Sequence, residues 1–445
     1  MNMMSLSSPA TAVHRVLLFS PSTHPSTFPT LTPFFHKFKS HKSPFFTIRN
    51  CTSITAKPSS HFRKNRPPNP NPDPKLTALR RLFSNSDVSI DAYIIPSQDA
   101  HQSEFIAECY GRRAYISGFT GSAGTAVVTN DKAALWTDGR YFLQAEKQLN
   151  SNWILMRAGN PGVPTTSEWL NEVLAPGARV GIDPFLFTSD AAEELKQVIS
   201  EKNHELVYLY NSNLVDEIWK EARPESPNKP VRVHDLKYAG LDVASKLSTL
   251  RSELVKAGSS AIIVSALDEI AWLLNLRGSD IPHSPVVYAY LIVEIDGAKL
   301  FIDNSKVTEE VDAHLKKANI EIRPYNSIIS EIENLAARGA ALWLDTSSVN
   351  AAIVNAYKAA CDRYYQNYKS KHTTRSKGFD KSNENSGVPF AVQKLSPVSL
   401  AKAIKNEAEL NGMQGCHLSW ILYMQKLQII YTSYALDAPF QLLKK

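Results

Sequence analysis

The sequence lacks the short motifs that identify most metal and nucleophile sites. It contains no His-Glu-x-x-His, Gly-x-Ser-x-Gly or Gly-Lys-Ser/Thr motif. Four cysteines are present, and no two of them form a Cys-x-x-Cys pair, so neither a structural zinc site nor a disulfide framework is indicated. They are Cys51, Cys109, Cys361 and Cys416. We interpret them as isolated buried or surface thiols.

Acidic residues are missing from the first 72 positions, and Asp73 is the first of 43. Residues 1–66 contain nine Lys or Arg, which leaves 40 basic residues against 43 acidic ones in the rest of the chain. The net charge of +6 therefore comes from the N-terminus and does not indicate a nucleic-acid-binding face.

The acid-free N-terminus is rich in Ser and Thr and carries scattered cations, which is typical of an organellar transit peptide. Its many prolines disfavour a long amphipathic helix, so we predict targeting to the chloroplast. The Pro-rich segment 66–74 resembles a stiff spacer, and we assign residues 1–72 to transit peptide and spacer. A disordered tail is the alternative. No stretch reaches the roughly 20 apolar residues of a membrane span.

The remaining chain contains one pattern twice, at an offset of roughly 160–170 residues, which suits a duplicated domain. A helical Leu/Arg pattern precedes an apolar run, which is followed by a Gly-Ser turn and two further apolar runs. The first copy includes "KLTALRRLF" (75–83), "AYIIPSQDA" (92–100) and the segment 118–142; the second includes "SKLSTLRSEL" (245–254), "AIIVSALDE" (261–269) and the segment 276–304.

Strand-like runs alternate with helical segments in both copies, which predicts two α/β domains, each a mixed sheet flanked by helices. Three prolines mark the connection between them. A second polar stretch, nearly free of apolar residues, predicts an exposed insertion. We expect domain I at 73–222, a linker at 223–240, domain II at 241–365 and the insertion at 366–390.

Two segments invite a site assignment that their spacing does not support. "GFTGSAG" (118–124) has the wrong spacing for a phosphate loop, and we predict a tight turn between strands. His101 and Glu104 lie three residues apart and could ligate a metal, but Asp99 before them favours a capped surface helix.

Three further residues are candidates for contacts with a ligand. Arg140 follows the Asp-Gly pair of "WTDGRY", which predicts a hairpin turn with the arginine at the surface or between domains. Arg277 and His283 lie in "LRGSDIPH", a loop segment for which a structural role is the alternative.

Several long motifs resemble the Xaa-Pro aminopeptidases (aminopeptidase P) of the long, three-domain type, in the plant plastid form. "PSQDAHQSEFIAECYGRRAYISGFTGSAGTAVVTNDKAALWTDGRYFLQAEKQL" resembles their first domain, "DEIAWLLNLRGSDIPHSPVVYAYLIV" their second, and "SPVSLAKAIKNEAELNGMQGCHL" the opening helix of their third. The resemblance implies two tandem creatinase-like domains in residues 75–418. It also implies that Arg140 contacts the peptide at the active-site mouth, with Arg277 and His283 as edge contacts.

The family's chemistry implies a third, pita-bread domain in which two Asp, one His and two Glu hold two manganese ions. Such a hydrolase removes the residue before a proline in second position. None of the five ligands can be placed on this chain, because residues 391–418 match only the opening helix and residues 419–445 diverge from the family. We therefore expect a truncated product without catalytic or metal-ligating residues.

Two functional interpretations remain open at this point. The first is a metallopeptidase lineage whose present product is inactive alone. The second is a non-catalytic creatinase-like module that binds a partner chain, such as the full-length enzyme or a second copy. Neither nucleic acid nor a membrane is an expected partner.

Overall fold

Two mixed six-stranded sheets dominate the computed structural model, which describes residues 72–372 and 391–437. The elements of domain I are α1 (Pro74–Phe83), β1 (Ala92–Pro96), α2 (Arg112–Ser117), β2 (Thr125–Thr129), β3 (Ala133–Thr137), α3 (Phe142–Gln148), β4 (Ile154–Arg157), α4 (Thr166–Val173), β5 (Arg179–Ile182), α5 (Ser189–Ser200), β6 (Glu205–Tyr208) and α6 (Leu214–Trp219).

Domain II begins with a short strand at the end of the linker. Its elements are β7 (Arg232–Val233), α7 (Leu236–Ala239), α8 (Val243–Ala257), β8 (Ala261–Val264), α9 (Leu267–Leu273), β9 (Leu276–Arg277), β10 (Ala289–Glu294), β11 (Ala298–Ile302), α10 (Glu309–Lys317), β12 (Ile320–Pro324), α11 (Ile328–Ala337), β13 (Leu342–Leu344), α12 (Ala351–His372), β14 (Ala391–Gln393), α13 (Pro397–Ala403) and α14 (Glu407–Asp437).

The two sheets repeat one topology, which confirms the predicted duplication. Their strand orders are β4-β3-β2-β1-β5-β6 and β12-β11-β10-β8-β13-β14. In each sheet the first strand pairs antiparallel with the start of a hairpin and parallel with a strand on its other side. β7 and β9 form a separate antiparallel pair.

Alternation along each central strand supplies two apolar layers per sheet. In β1, Tyr93 and Ile95 pack with α1, whereas Ala92 and Ile94 pack on the opposite face. Because successive strand side chains point to opposite faces, one short apolar run can bury both sides of the sheet.

Helix ends follow the expected capping chemistry. The carboxylate of Asp73 accepts from the backbone N–H groups of Lys75 (2.9 Å) and Leu76 (3.3 Å), with Pro74 at the first helical position of α1. Thr165 and Glu168 form a reciprocal capping box on α4. These caps fix where the helices begin.

Three local predictions are wrong. Asp138 and Gly139 do not connect a hairpin, because β3 leads through the turn into α3 and pairs in parallel with β4. The glycine-rich segment 118–124 joins α2 to β2 rather than two strands, with Gly118 as the left-handed cap of α2 (φ 74°). Residues 99–106 form no helix.

The C-terminal part of the chain also departs from the predicted boundaries. Residues 391–393 do not open a third domain, since β14 pairs in parallel with β13 and completes the second sheet. α12 continues to His372, inside the expected polar insertion. Of that insertion, residues 373–390 lie outside the described structure, as do residues 1–71 of the predicted transit peptide and spacer.

α14 is apolar and exposed over much of its described length. It is joined to domain II near its start, where Asn406 donates to the backbone oxygen of Ala239 (2.8 Å) and Trp272 donates to Glu409 (2.8 Å). Large apolar side chains follow in the exposed part: Met413, Leu418, Trp420, Ile421, Leu422, Tyr423, Met424 and Leu427. A helix with apolar residues all round is normally covered by other structure. Among the described residues, no helix is long and apolar enough to cross a bilayer.

Candidate functional site

The Arg140 side chain is held in place by its own turn. Its Nε and Nη2 atoms donate to the two carboxylate oxygens of Asp138 at 2.9 and 2.8 Å. The Cζ atom of Arg140 lies 5.1 Å from the centre of the Tyr141 ring. These hydrogen bonds lower the pKa of Asp138 to about 2. The Arg140 side chain is nevertheless 68% exposed, so the turn presents an oriented cation to solvent.

Arg277 lies in a different place, beside α14. Its Nη1 atom donates to the backbone oxygens of Ala271 (3.0 Å) and Leu276 (2.8 Å). Burial, reinforced by Arg232, lowers the pKa of Arg277. The side chain borders an open, mainly apolar groove of about 560 Å³ that Trp272, Met413 and neighbouring residues line.

His283 is an exposed residue of the 278–286 loop and has a left-handed backbone (φ 64°). Its ring packs edge-on against Phe105 of domain I, with centroids 5.6 Å apart. The contacts of the three predicted residues therefore place them in three separate environments: Arg140 in its own turn, Arg277 in the groove beside α14, and His283 against Phe105.

His101 joins the two domains, a role that its spacing from Glu104 did not predict. Its Nδ1 atom lies 2.8 Å from the backbone oxygen of Ser265 and its Nε2 atom 2.7 Å from the hydroxyl of Tyr325. A carbonyl oxygen can only accept, so Nδ1 carries the proton and Tyr325 donates to Nε2. The ring also packs on Tyr290 at 4.3 Å. His101 is thus a neutral, buried link between the domains.

Asp99 shapes the turn that delivers His101. One carboxylate oxygen of Asp99 accepts from the backbone N–H groups of His101 (2.9 Å) and Ser103 (3.0 Å). This is an Asx turn, and not the predicted helix cap. Asn350 adds a second link, because its side-chain amide donates to the backbone oxygen of Ala100 (3.0 Å) and to the Tyr290 hydroxyl (3.1 Å).

Acid should weaken the domain junction through His101. Burial lowers the pKa of His101 from its ordinary value, against the opposing effect of Asp99. Above about pH 6.5 the ring is neutral in both the folded and the unfolded chain. Below that pH only the unfolded chain readily takes the proton, so the free energy of unfolding decreases as the pH decreases. We expect His101→Leu to lower the free energy of unfolding by about 1–3 kcal/mol at neutral pH, because it leaves buried polar groups unpaired.

Urea unfolding at neutral and acidic pH measures this effect. The difference in the free energy of unfolding between wild type and His101→Leu should become smaller at acidic pH, because only the wild type carries the cost of keeping His101 neutral. A difference that stays constant across the two pH values would contradict the assigned role.

The donor set of the described residues does not fit a metal centre. Within residues 72–372 and 391–437, no group of three or more His, Cys, Asp or Glu side chains is placed to hold an ion. On α14, Glu409 is already engaged by Trp272 and by the backbone N–H of Asn406 (3.0 Å). The described residues therefore do not supply a metal-dependent step.

Fold and sequence together define the family. Residues 75–216 and residues 222–409 each match the creatinase/prolidase N-terminal domain. The chain belongs to this family and carries its domain twice in tandem. Over the same region it is a relative of Xaa-Pro aminopeptidases of the aminopeptidase P type, as the resemblance of its motifs implied.

Individual relatives support this assignment. The chain is 70% identical to aminopeptidase P2 of Arabidopsis thaliana over 346 residues, which are 78% of this chain and 49% of that protein. It is 44% identical to a probable Xaa-Pro aminopeptidase P of Chaetomium globosum, over 77% of this chain and 52% of that one. The solved X-prolyl aminopeptidase of Caenorhabditis elegans, described as a cytosolic enzyme with a dinuclear active site, superimposes with a TM-score of 0.66 at 36% identity.

The matched region is partial in the relatives. The C. elegans structure is covered over 53% of its chain and 77% of this one. The chain therefore spans about half the length of the relatives it matches.

Proposed function

We propose that the two domains are the non-catalytic N-terminal half of an Xaa-Pro aminopeptidase, and that residues 1–445 alone do not hydrolyse peptides. The 70% identity to aminopeptidase P2 over most of the described chain carries this proposal. In the complete enzyme, the third domain would supply the ligands of two manganese ions, since carboxylate-rich sites suit that metal.

Arg140 is the residue we assign to peptide contact at the active-site mouth. Its guanidinium is exposed, and Asp138 already fixes its direction. Such preorganisation reduces the entropy lost when a peptide carboxylate or carbonyl binds. Arg277 and His283 are proposed as edge contacts, Arg277 from the groove beside α14 and His283 from the 278–286 loop.

A chimera tests both the lineage and the role of Arg140. Residues 75–417 of this chain would replace the matching half of Arabidopsis aminopeptidase P2. We expect the chimera to release the first residue of an Xaa-Pro peptide. Arg140→Ala in the chimera should raise KM by about three- to tenfold with little change in kcat, because it removes a charged binding contact.

Arg157→Ala is the matched control, since Arg157 is also exposed and also pairs with a carboxylate, that of Glu146. It should leave KM unchanged. A folded but inactive chimera would overturn the proposed lineage role. Equal effects of the Arg140 and Arg157 substitutions would remove Arg140 from the peptide contact.

The N-terminus supports a further proposal, that this product is directed to the chloroplast. Its Ser- and Thr-rich, acid-free composition supports that address. The segment itself lies outside the described residues.

A partner-binding role is the second candidate, and the exposed part of α14 favours it. Trp420, Leu422 and Tyr423 are each at least half exposed on this helix, and contiguous apolar surface often marks an interaction site. We expect a tagged chain to co-purify with the full-length enzyme. The double variant Trp420→Ser, Leu422→Ser should abolish the complex, and failure of the unmodified chain to capture the enzyme would dismiss this role.

A further inference from the structure

A cleft of about 480 Å³ lies between domain I and domain II. Its floor is formed where three parallel strands of domain I end: β1, β5 and β6. His101 follows β1, Asp183 comes directly after β5, and Tyr210 and Asn213 follow β6. The cleft volume lies within the usual range for small-molecule sites.

The topology of domain I reverses at this cleft. From β1 the chain builds β2, β3 and β4 on one side of the sheet, and then returns to place β5 and β6 on the other side. Open α/β sheets bind ligands in the crevice beyond the carboxyl ends of strands at such a switch point. The cleft between the ends of β1 and β5 therefore occupies the position where a ligand is expected.

Domain II provides the opposite wall. Tyr288, directly before β10, and Tyr290 of β10 line the cleft, together with Tyr325 and Asn326 after β12. The bond between His101 and Tyr325 holds this wall against domain I. The cleft is consequently a property of the two-domain arrangement and not of either sheet alone.

Asp183 gives the cleft a buried carboxylate whose direct partners are neutral. One of its oxygens accepts from the backbone N–H of Phe185 (2.9 Å) and the other from the side-chain amide of Asn213 (2.8 Å). A carboxylate has about four acceptor positions, so capacity remains. Burial raises the pKa of Asp183, despite opposing hydrogen bonds and the more distant Arg112.

The other carboxylate of the cleft, Asp216, is already neutralised. Arg112 binds both of its oxygens, at 2.7 and 2.8 Å, and Arg223 lies 2.8 Å from one of them. The basic side chain that lines the cleft, Arg112, is thus engaged, and Asp183 is left without a cation in direct contact. An uncompensated buried carboxylate is costly, and a bound cation would relieve that cost.

The second copy of the domain shows how the same position is satisfied elsewhere. Asp345 follows β13 as Asp183 follows β5. Asp345 accepts from the backbone N–H groups of Ser347 (3.1 Å) and Ser396 (2.9 Å) and from the Ser347 hydroxyl (2.5 Å). Two residues separate β14 from Ser396, whereas four separate β6 from Asn213. The longer connection in domain I contributes Tyr210 to the cleft wall.

Aromatic rings complete the chemistry. Phe185 and Tyr210 line the cleft near Asp183, and Tyr210 is 49% exposed at its mouth. The wall already accommodates cations, because the guanidinium groups of Arg112 and Arg223 lie 5.4 and 5.6 Å from the ring of Tyr110. Aromatic faces beside a carboxylate recognise ammonium groups, quaternary ones included.

We propose that this interdomain cleft binds a small organic cation, whose ammonium group lies against Asp183 between aromatic rings. The proposal does not depend on peptidase lineage, since it rests on residues of the described domains alone.

Choline binding to the full chain, measured by calorimetry, tests the proposal. Saturable binding is expected at millimolar choline. The uncharged isostere 3,3-dimethyl-1-butanol should bind at least about tenfold more weakly, since it lacks the charge that the rings and Asp183 recognise. Potassium chloride at the same ionic strength should give no saturable heat.

Asp183→Asn should weaken choline binding by at least about tenfold, because the amide keeps the shape and removes the charge. Asp303→Asn is the matched control, since Asp303 is an exposed capping carboxylate in domain II. Tyr210→Ala removes an aromatic ring at the mouth, together with an exposed hydrogen bond from Asn355 (3.1 Å), and should also weaken binding, which keeps the test open if Asp183→Asn unfolds. Absent binding, equal binding of the isostere, or full affinity in both cleft variants would overturn the proposal.

Discussion

Purified residues 1–445, given Mn²⁺ and a peptide with proline second, are expected to release no N-terminal amino acid. Metal-assisted peptide hydrolysis needs an activated water and a polarised carbonyl, and both require an ion held in an open coordination site. The described residues place no three suitable donors together.

The rest of the sequence offers few further carboxylates. Outside the described ranges it holds only two acids, Asp380 and Glu384, and none lies beyond Asp437. They could supply at most two of the four carboxylates that the family's centre implies. Without the centre, the rate should fall by at least about six orders of magnitude relative to an active enzyme.

Arabidopsis aminopeptidase P2, assayed beside this chain, is the appropriate positive control. Release of the first amino acid can be followed by chromatography over long incubation. Turnover by the purified chain that a chelator abolishes would show that our coordination argument is wrong.

Lys306→Met should lower the free energy of unfolding by about 3–5 kcal/mol, which is more than we expect for His101→Leu, because it leaves a buried carboxylate without its cation. The Nζ atom of Lys306 lies 2.7 Å from Asp280, and the two side chains are only 5% and 0% exposed. The same oxygen of Asp280 also accepts from the backbone N–H of Tyr288 (2.8 Å). The second oxygen of Asp280 has no hydrogen-bond partner among the described residues, so the carboxylate depends heavily on Lys306.

Lys316→Met provides the matched comparison. Lys316 pairs with Asp312 at the same distance, 2.7 Å, but the two side chains are 72% and 38% exposed. We expect a change of no more than about 1 kcal/mol there, since water screens the exposed pair. The urea midpoints of both variants measure the difference, and the double variant Lys306→Met, Asp280→Asn should recover part of the loss. Equal losses at Lys306 and Lys316 would contradict the assigned burial effect.

Local chemistry predicted the elements well wherever the pattern was long. The short continuous apolar runs at β1 and β8, and the hairpins that follow them, are confirmed, because a short apolar run bounded by turn residues suits a strand that is buried on both faces. Short polar segments were less informative. An aspartate followed by polar residues suits a helix cap and an Asx turn equally, and Asp99 adopts the turn because His101 is buried against domain II.

The sequence by itself determined that this chain is a duplicated α/β scaffold of the creatinase/prolidase type, because the apolar runs and the order of the motifs are local features that repeat at a fixed offset. Only the tertiary structure decided what meets at the domain junction. His101 contacts Ser265 and Tyr325, and Asp183 faces a cleft whose far wall is Tyr290 and Tyr325. Burial and hydrogen-bond partners over such separations depend on how the two sheets pack, which no local pattern encodes.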